Sequence, residues 1–346
     1  MKKVAVILFN LGGPDHLGAV EPFLFNLFND PAIINYPQPF RWLLAKLISY
    51  KRAPLAQNIY KELGGKSPLL DNTIAQANAI EDKFDNKYDL KCWPVMRYWH
   101  PFANAVVGEV NNFQPDEIIL LPLYPQYSTT TTGSSLLDWQ KSCKSGGLSV
   151  PTTLIGCYPE NDGFCGSVAK LINQQLDEFK GDVAPRVLFS AHGLPQKIVD
   201  AGDPYQNQIE KTAISIAKKL DLNNLDWRVC YQSRVGRLEW IKPYIEDEIK
   251  QAGVDQVPLI IVPIAFVSEH SETLVELDIE YRELAEEHKV PAYIRIPTVG
   301  IERDFIDGLA NLIEASLSSK SDIFSENDIP KCYQNFNKCI CQAPQG

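Results

Sequence analysis

Two patterns alternate along the chain. Short, continuous apolar runs that end in a Gly, Pro or polar turn are separated by longer stretches whose apolar positions recur three and four residues apart. The runs come in two series. "KVAVILFNLGGP", "CWPVMRYWHP", "EIILLPLYPQYSTTTTGSS" and "TTLIGCYP" are answered in order by "PRVLFSAHGLP", "WRVCYQSRVG", "VPLIIVPIAFVSEHSETL" and "AYIRIPTVG". Amphipathic segments of helix length fall between them, at 72–86, 102–112, 134–144, 206–220, 237–252 and 272–287. A further helix is predicted within 160–184 and a last one over 302–317, followed by a polar linker over 318–330. Buried-type strands alternating with helices predict an α/β fold of two halves, each a four-stranded parallel sheet flanked by helices.

Length agrees with that division, since 346 residues exceed the ~250–300 that one hydrophobic core organises. In open α/β sheets, ligands bind at the carboxyl ends of the strands. The chemically richest stretches, "NLGGP", "RYWHP", "SAHGLP", "YQSRVG" and "SEHSE", all follow apolar runs, and a cleft between the halves is the natural site. The formal charge of −10 argues against nucleic acid as a partner. One region departs from it. From Pro31 to Lys61 there is no acidic residue, while Arg41, Lys46, Lys51, Arg52 and Lys61 sit among apolar neighbours. No apolar run approaches the ~20 residues of a membrane-spanning helix. The opening "MKKVAVILFN" reads as a first strand rather than a secretory signal, because "NLGGP" follows without a small-residue cleavage pattern. On that reading the compartment is the reducing cytoplasm, and the eight cysteines are thiols or metal ligands rather than disulfides.

His192 lies just past a buried-type strand, and His270 holds the corresponding place after the third strand of the same series. A histidine at a strand end can accept a proton or ligate a metal. The stretch 268–281, "SEHSETLVELDIEY", carries Glu269, Glu272, Glu276, Asp278 and Glu280 with no Lys or Arg. On an α-helix Glu272, Glu276 and Glu280 form one stripe, opposite Leu274, Leu277 and Tyr281. A solvated face gives that pattern, and so does a carboxylate ladder that relays protons or holds divalent ions. "NLGGP" lacks the spaced glycines of a dinucleotide or phosphate loop. "STTTTGSS" (128–135) fits an anion cradle or a helix cap by Ser134 or Thr132. The tail places Cys332, Cys339 and Cys341 within ten residues. Three thiols so spaced suit an iron–sulfur cluster or zinc completed by a fourth ligand elsewhere.

Taken in order, "LGGP", "ELGGKSPL", "MRYWHP", "LPLYPQYSTTTTGSSL", "FSAHGLP", "GDPY", "YQSRVG" and "VPIAFVSEHSETLVELDIEY" resemble the ferrochelatase family, from residue 3 to about 320. The resemblance implies a chelatase-like fold of two Rossmann-like domains, with the active-site cleft between them. Its bounds here are 1–160 with a porphyrin-side lip at 31–61, and 161–320 with the last helix 302–317 packing back on the first domain. A cysteine-bearing tail, 321–346, follows. It implies insertion of Fe2+ into protoporphyrin IX, giving protohaem and two protons. His192 is then the essential active-site histidine, taking pyrrole protons or ligating iron. His270 and Glu272 are its metal-side or proton-side partners, and Glu276 and Glu280 an inner conduit. By the same match Leu11, Arg52, Tyr60, Ser67, Arg97, Tyr98, Tyr124, Gln232, Ser233, Trp240 and Phe266 line the macrocycle and its propionates. The lip suits peripheral membrane contact through 34–54. Animal-type members that hold a 2Fe-2S cluster have a different tail spacing and a cysteine where Thr129 stands here. Some microbial members share this tail, which implies a cluster on Cys332, Cys339, Cys341 and a fourth cysteine: Cys157, with Cys143 and Cys165 as alternatives. Coproporphyrin as substrate, cobalt as the metal, and a haem- or metal-binding module without turnover are the competing readings.

Overall fold

The apolar runs fold as strands, all of them parallel to their neighbours, in a computed structural model that describes residues 1–220, 225–236, 238–319, 321–326 and 336–341. In chain order they are β1 (Lys3–Asn10), β2 (Asp89–Met96), β3 (Glu117–Pro122), β4 (Thr152–Ile155), β5 (Arg186–His192), β6 (Trp227–Gln232), β7 (Leu259–Pro263), β8 (Tyr293–Arg295) and β9 (Ile323–Phe324). The chain divides into two units. The first comprises Met1–Cys157 with Leu309–Lys331, the second Tyr158–Gly308 with Cys332–Gly346.

The sheet of the first unit has the order β2-β1-β3-β4-β9, and that of the second β6-β5-β7-β8. The duplicated sequence pattern is therefore a duplicated topology, with β1 and β5 in equivalent central places. Both have apolar centres for a physical reason. A parallel strand covered on both faces has no solvent side, and Val4 to Phe9 and Val187 to Phe189 are all 0% exposed. In the second unit Leu188, Ile261, Ile249, Leu277 and Tyr281 belong to one core cluster, which seats the acidic segment on the sheet.

Several elements differ from the sequence expectation, beginning with the helices Val20–Phe28 and Phe40–Glu62, which fall outside the segments predicted as helical. The polar linker contributes β9, a fifth strand in which Leu154 pairs with Ile323 and Ile155 with Phe324. Its only two adjacent apolar residues supply the pairing, and Phe324 is buried. The helix expected over 237–252 is Ile245–Asp255 instead. Pro243 biases the residue before it away from helical dihedrals, and the described residues ahead of it form turns and bends with a bridge between Pro195 and Trp240. Finally, 272–287 is not one α-helix. Glu272–Glu280 winds as a π-helix, and Tyr281–Glu287 continues as α. No helix among the described residues is long and apolar enough to cross a membrane.

Candidate active site

The carboxyl ends of three adjacent strands in the second unit converge on one group of polar side chains. His192 closes β5 and Gln232 closes β6, with the two residues paired in register. β7 leads into the loop carrying His270, and the π-helix then presents Glu272 and Glu276. His192 Nδ1 lies 3.0 Å from Glu272 Oε2, and His270 Nε2 lies 3.7 Å from the same oxygen. One carboxylate thus sits between two imidazoles. His270 is 6% exposed, and its Nδ1 has no hydrogen-bond partner among the described residues.

Glu276 forms the next layer. Gln232 Nε2 donates to its Oε2 at 2.9 Å and to the Glu272 carbonyl at 3.1 Å, so one amide spans both acids. The orientation of that amide is set from behind, because Ser190 Oγ donates to Gln232 Oε1 at 2.8 Å. Ser233 Oγ donates to Glu276 Oε2 at 2.5 Å and Tyr281 OH to Oε1 at 2.9 Å. Ser233 reaches its acceptor from a backbone φ of 64°, a left-handed conformation that residues with a side chain adopt at a cost and that clusters at functional sites. Tyr205 OH donates to the His192 carbonyl at 3.0 Å and braces the end of β5. Trp240 stands edge-on to His192 at 6.3 Å between ring centroids, and Phe266 lies 4.6 Å from the His270 ring.

The electrostatics separate the two acids. Burial is the largest influence on His192 and lowers its pKa, but the charge and hydrogen bond of Glu272, together with Glu276, more than reverse it. The pKa ends above the ordinary histidine value. For Glu272 burial again opposes charge, and the two histidines outweigh it, holding the carboxyl well below its usual range. Glu276 moves the other way, raised first by burial and then by the Glu272 charge, against the hydrogen bonds of Ser233 and Gln232. The site therefore holds an ionised pair beside a carboxyl that keeps a proton more readily.

Of the residues that sequence reasoning singled out, His192, His270, Glu272, Glu276, Gln232, Ser233, Trp240 and Phe266 come together here. Glu280 is exposed near the end of the π-helix. The remainder belong to the first unit. There Arg97 pairs with Asp30 at 2.9 Å and donates to Ser134 at 2.7 Å, while Tyr98 OH donates to Asp30 at 2.9 Å. Asp30, Arg97, Asp138 and Lys141 help line a cavity of about 530 Å³. Tyr60 and Ser67 are buried, Leu11 packs on the Tyr60–Tyr98 cluster, Arg52 lies over the Phe28 ring at 5.6 Å, and the hydroxyl of Tyr124 is enclosed. The side chains of Ser134 and Thr132 do not cap the helix Thr132–Gly146. Ser134 is drawn instead to Asp30.

Sequence reasoning did not assign Ser190, Tyr205 or Tyr281 to the site. Only the strings "FSAHGLP", "GDPY" and "DIEY" that contain them drew attention. As for the tail, Cys339 and Cys341 are 5% and 8% exposed, Cys157 is 5% exposed, and Cys332 lies outside the described residues. Among the described residues no group of three or more His, Cys, Asp or Glu side chains is placed to hold a metal ion.

A protein-family profile described as Ferrochelatase matches residues 3–317. A ferrochelatase of Pelagibacter ubique is 51% identical over 349 aligned positions, covering 99% of both chains. One from Caulobacter vibrioides is 48% identical and covers 99% of this chain and 98% of its own. Among solved structures, SirB from Bacillus subtilis with Fe3+ superposes with a TM-score of 0.55 at 10% identity, over 91% of this chain and 96% of that one. The sirohydrochlorin chelatase SirB with cobalt gives 0.52 at 9% identity, over 92% and 96%. At that identity the likeness is one of fold.

Proposed function

The chain belongs to the ferrochelatase family, and from that premise we propose that the His192–Glu272–Glu276 group is where it inserts Fe2+ into protoporphyrin IX. The reaction yields protohaem and two protons, the closing step of haem synthesis. The observation that carries the site assignment is the 3.0 Å contact between His192 Nδ1 and Glu272 Oε2 at adjoining strand ends. With Nδ1 engaged, Nε2 is the nitrogen available to substrate. A porphyrin loses two N–H protons as it gains the metal, and a strand-end imidazole is suited to take one. The imidazolium so formed is stabilised by the ionised Glu272 beside it. Glu276, with its raised affinity for protons and its Gln232 link to Glu272, is the next acceptor inward, and Glu280 lies toward solvent. Glu272 and His192 are also the donors suited to the incoming Fe2+ itself, with His270 as their neighbour.

Trp240 and Phe266 supply aromatic surface beside the two imidazoles, as a flat macrocycle requires. Leu11, Arg52, Tyr60, Ser67, Arg97, Tyr98 and Tyr124 are proposed as porphyrin-side residues of the first unit by family likeness. Anaerobic assay by absorbance, with proto- and coproporphyrin and with Fe2+ and Co2+, tests the substrate assignment. The reading predicts the highest kcat/KM for Fe2+ and protoporphyrin. A clear preference for either of the other partners would overturn it.

A 2Fe-2S cluster on Cys332, Cys339, Cys341 and Cys157 is the second part of the proposal. It is supported by thiol chemistry and by the spacing of the three tail cysteines; Cys157, Cys339 and Cys341 are all buried. A cluster would supply one-electron redox chemistry or a crosslink. Anaerobically purified protein should show charge-transfer absorbance and labile sulfide; absence of both contradicts the assignment.

Peripheral attachment of this cytoplasmic chain to an anionic membrane through 34–54 is the third. The helix Phe40–Glu62 exposes Phe40 at 68%, Leu43 at 58%, Leu47 at 51% and Tyr50 at 69%, with Lys51 and Arg52 among them. That combination suits a membrane interface. Flotation with anionic liposomes should fall when Trp42→Glu and Leu43→Glu are combined, and parental binding by that variant would sink the idea.

A further inference from the structure

Two acids of the stretch 268–281, Glu269 and Asp278, take no part in the ladder. Both converge on one cation. Arg295, the last residue of the edge strand β8, has a side chain only 8% exposed. Its Nη1 donates to Glu269 Oε1 at 2.6 Å, its Nε to Asp278 Oδ1 at 2.8 Å, and its Nη2 to Asp278 Oδ2. The residues it grips bracket the reacting groups. Glu269 immediately precedes His270, Asp278 lies two residues past Glu276, and His270, Glu272 and Glu276 are strung between.

The surrounding contacts run in the same direction. Thr298 N donates to Glu269 Oε1 at 2.8 Å and Gly300 N to the Val267 carbonyl at 3.0 Å. Tyr293 OH donates to the Leu277 carbonyl at 2.6 Å, and Arg282 bonds both the Asp278 and Tyr293 carbonyls. The edge strand and the loop after it are thus stitched to both ends of the segment. Between those ends, Gln232 at the end of β6 donates to the Glu272 carbonyl. A π-helix, with its i→i+5 winding, is an uncommon conformation that persists where its surroundings impose it. Relaxation toward α would rotate Glu272 and Glu276 relative to His192 and Gln232.

We propose that Arg295 is a positioning residue for metal insertion, a two-armed clamp that fixes the segment Glu269–Asp278 so that Glu272 meets His192. The proposal rests on the site assignment above. Arginine is needed because its planar fork can engage Asp278 with two nitrogens and Glu269 with another. A lysine ammonium keeps the charge but is a single point without that geometry.

The test uses the full-length protein and the variants Arg295→Lys, Glu269→Gln and Asp278→Asn. Anaerobic Fe2+ insertion is measured well below each variant's Tm, alongside protoporphyrin binding by fluorescence. The clamp predicts that Arg295→Lys lowers kcat on the order of tenfold to a hundredfold and raises the KM for Fe2+. The protoporphyrin Kd should stay within about twofold, because the clamp does not reach the porphyrin. Glu269→Gln and Asp278→Asn should show the same split and combine with Arg295→Lys less than additively. Parental kcat and Fe2+ KM in Arg295→Lys, with only Tm lowered, would overturn the clamp. So would equal losses in Fe2+ and porphyrin affinity. His192→Ala is the control: if it metallates normally the site assignment fails, whereas an inert His192→Ala beside parental Arg295→Lys sinks the clamp alone.

Discussion

At the scale of single residues, His192 and Glu272 titrate against each other's expectation. The raised pKa of His192 means that pairing favours the fold at pH below the ordinary histidine value of ~6.5, and that this contribution fades as pH rises through the raised value. The depressed pKa of Glu272 gives a contribution present above the ordinary carboxylate range and lost only in strong acid. For turnover the sign reverses, because a proton acceptor must be neutral. The acid limb of kcat/KM should therefore have its midpoint above ~6.5. Glu272→Gln removes the main influences that raise the pKa and leaves burial opposed only by Glu276, so the variant should be slower with its midpoint moved to lower pH. A midpoint that stays or rises would mean that another group governs the limb. His192, His270 and Glu272 drew attention in the sequence because they follow apolar runs, but pattern alone left a solvated face open and their proposed roles came from the family resemblance. Ser190, Tyr205 and Tyr281 drew no attention of their own. A lone hydroxyl in an apolar stretch reads as core, and only the contact it makes in space separates a brace from a bystander.

At the scale of elements, strands were the most legible because a buried parallel strand leaves an unbroken apolar run. The sheet that carries the site depends on those runs. Ile261, at the middle of β7 and 0% exposed, should cost about 2–5 kcal/mol on replacement by alanine, read as a lower urea midpoint at unchanged m-value. A loss under about 1 kcal/mol would mean that the core collapses around the gap. Helices were legible only in part: the local Pro243 moved one start, and Val20–Phe28 and Phe40–Glu62 fell outside the predicted segments. Nothing in "ETLVELDIEY" distinguishes π from α winding, and the contacts that hold the segment come from Arg295, Tyr293 and Gln232 on other strands. The acidic stripe was consequently read with the wrong pitch, and the apolar-face residue Tyr281 turned out to serve Glu276 as a donor. Tyr281→Phe should leave the fold intact and slow metallation, checked by Tm and by initial rate. Parental turnover would show that the hydroxyl is dispensable.

At the scale of the whole molecule, the repeat seen in the sequence became two sheets whose first four strands share one order, with β9 added to the first. The halves have diverged in what they carry. In the second unit the strand ends hold two histidines and a carboxylate ladder, whereas the equivalent end of β1 runs into "NLGGP", a turn in which Gly12 has a φ of 85°. The strand ends of the first unit carry Arg97 and Tyr98 after β2, bound to Asp30. Fold class was thus readable from pattern and position, whereas the roles proposed for the histidines and acids came from the family resemblance. The short fifth strand was not, because two apolar residues in a polar stretch carry no period. The central claim is that His192, held by Glu272, accepts a porphyrin proton as Fe2+ enters. The most direct measurement is the anaerobic rate of Fe2+ insertion into protoporphyrin IX by His192→Ala, with porphyrin binding followed by fluorescence in the same samples. The account predicts a rate reduced by about a hundredfold or more with binding largely retained. Near-parental insertion by that variant would contradict it.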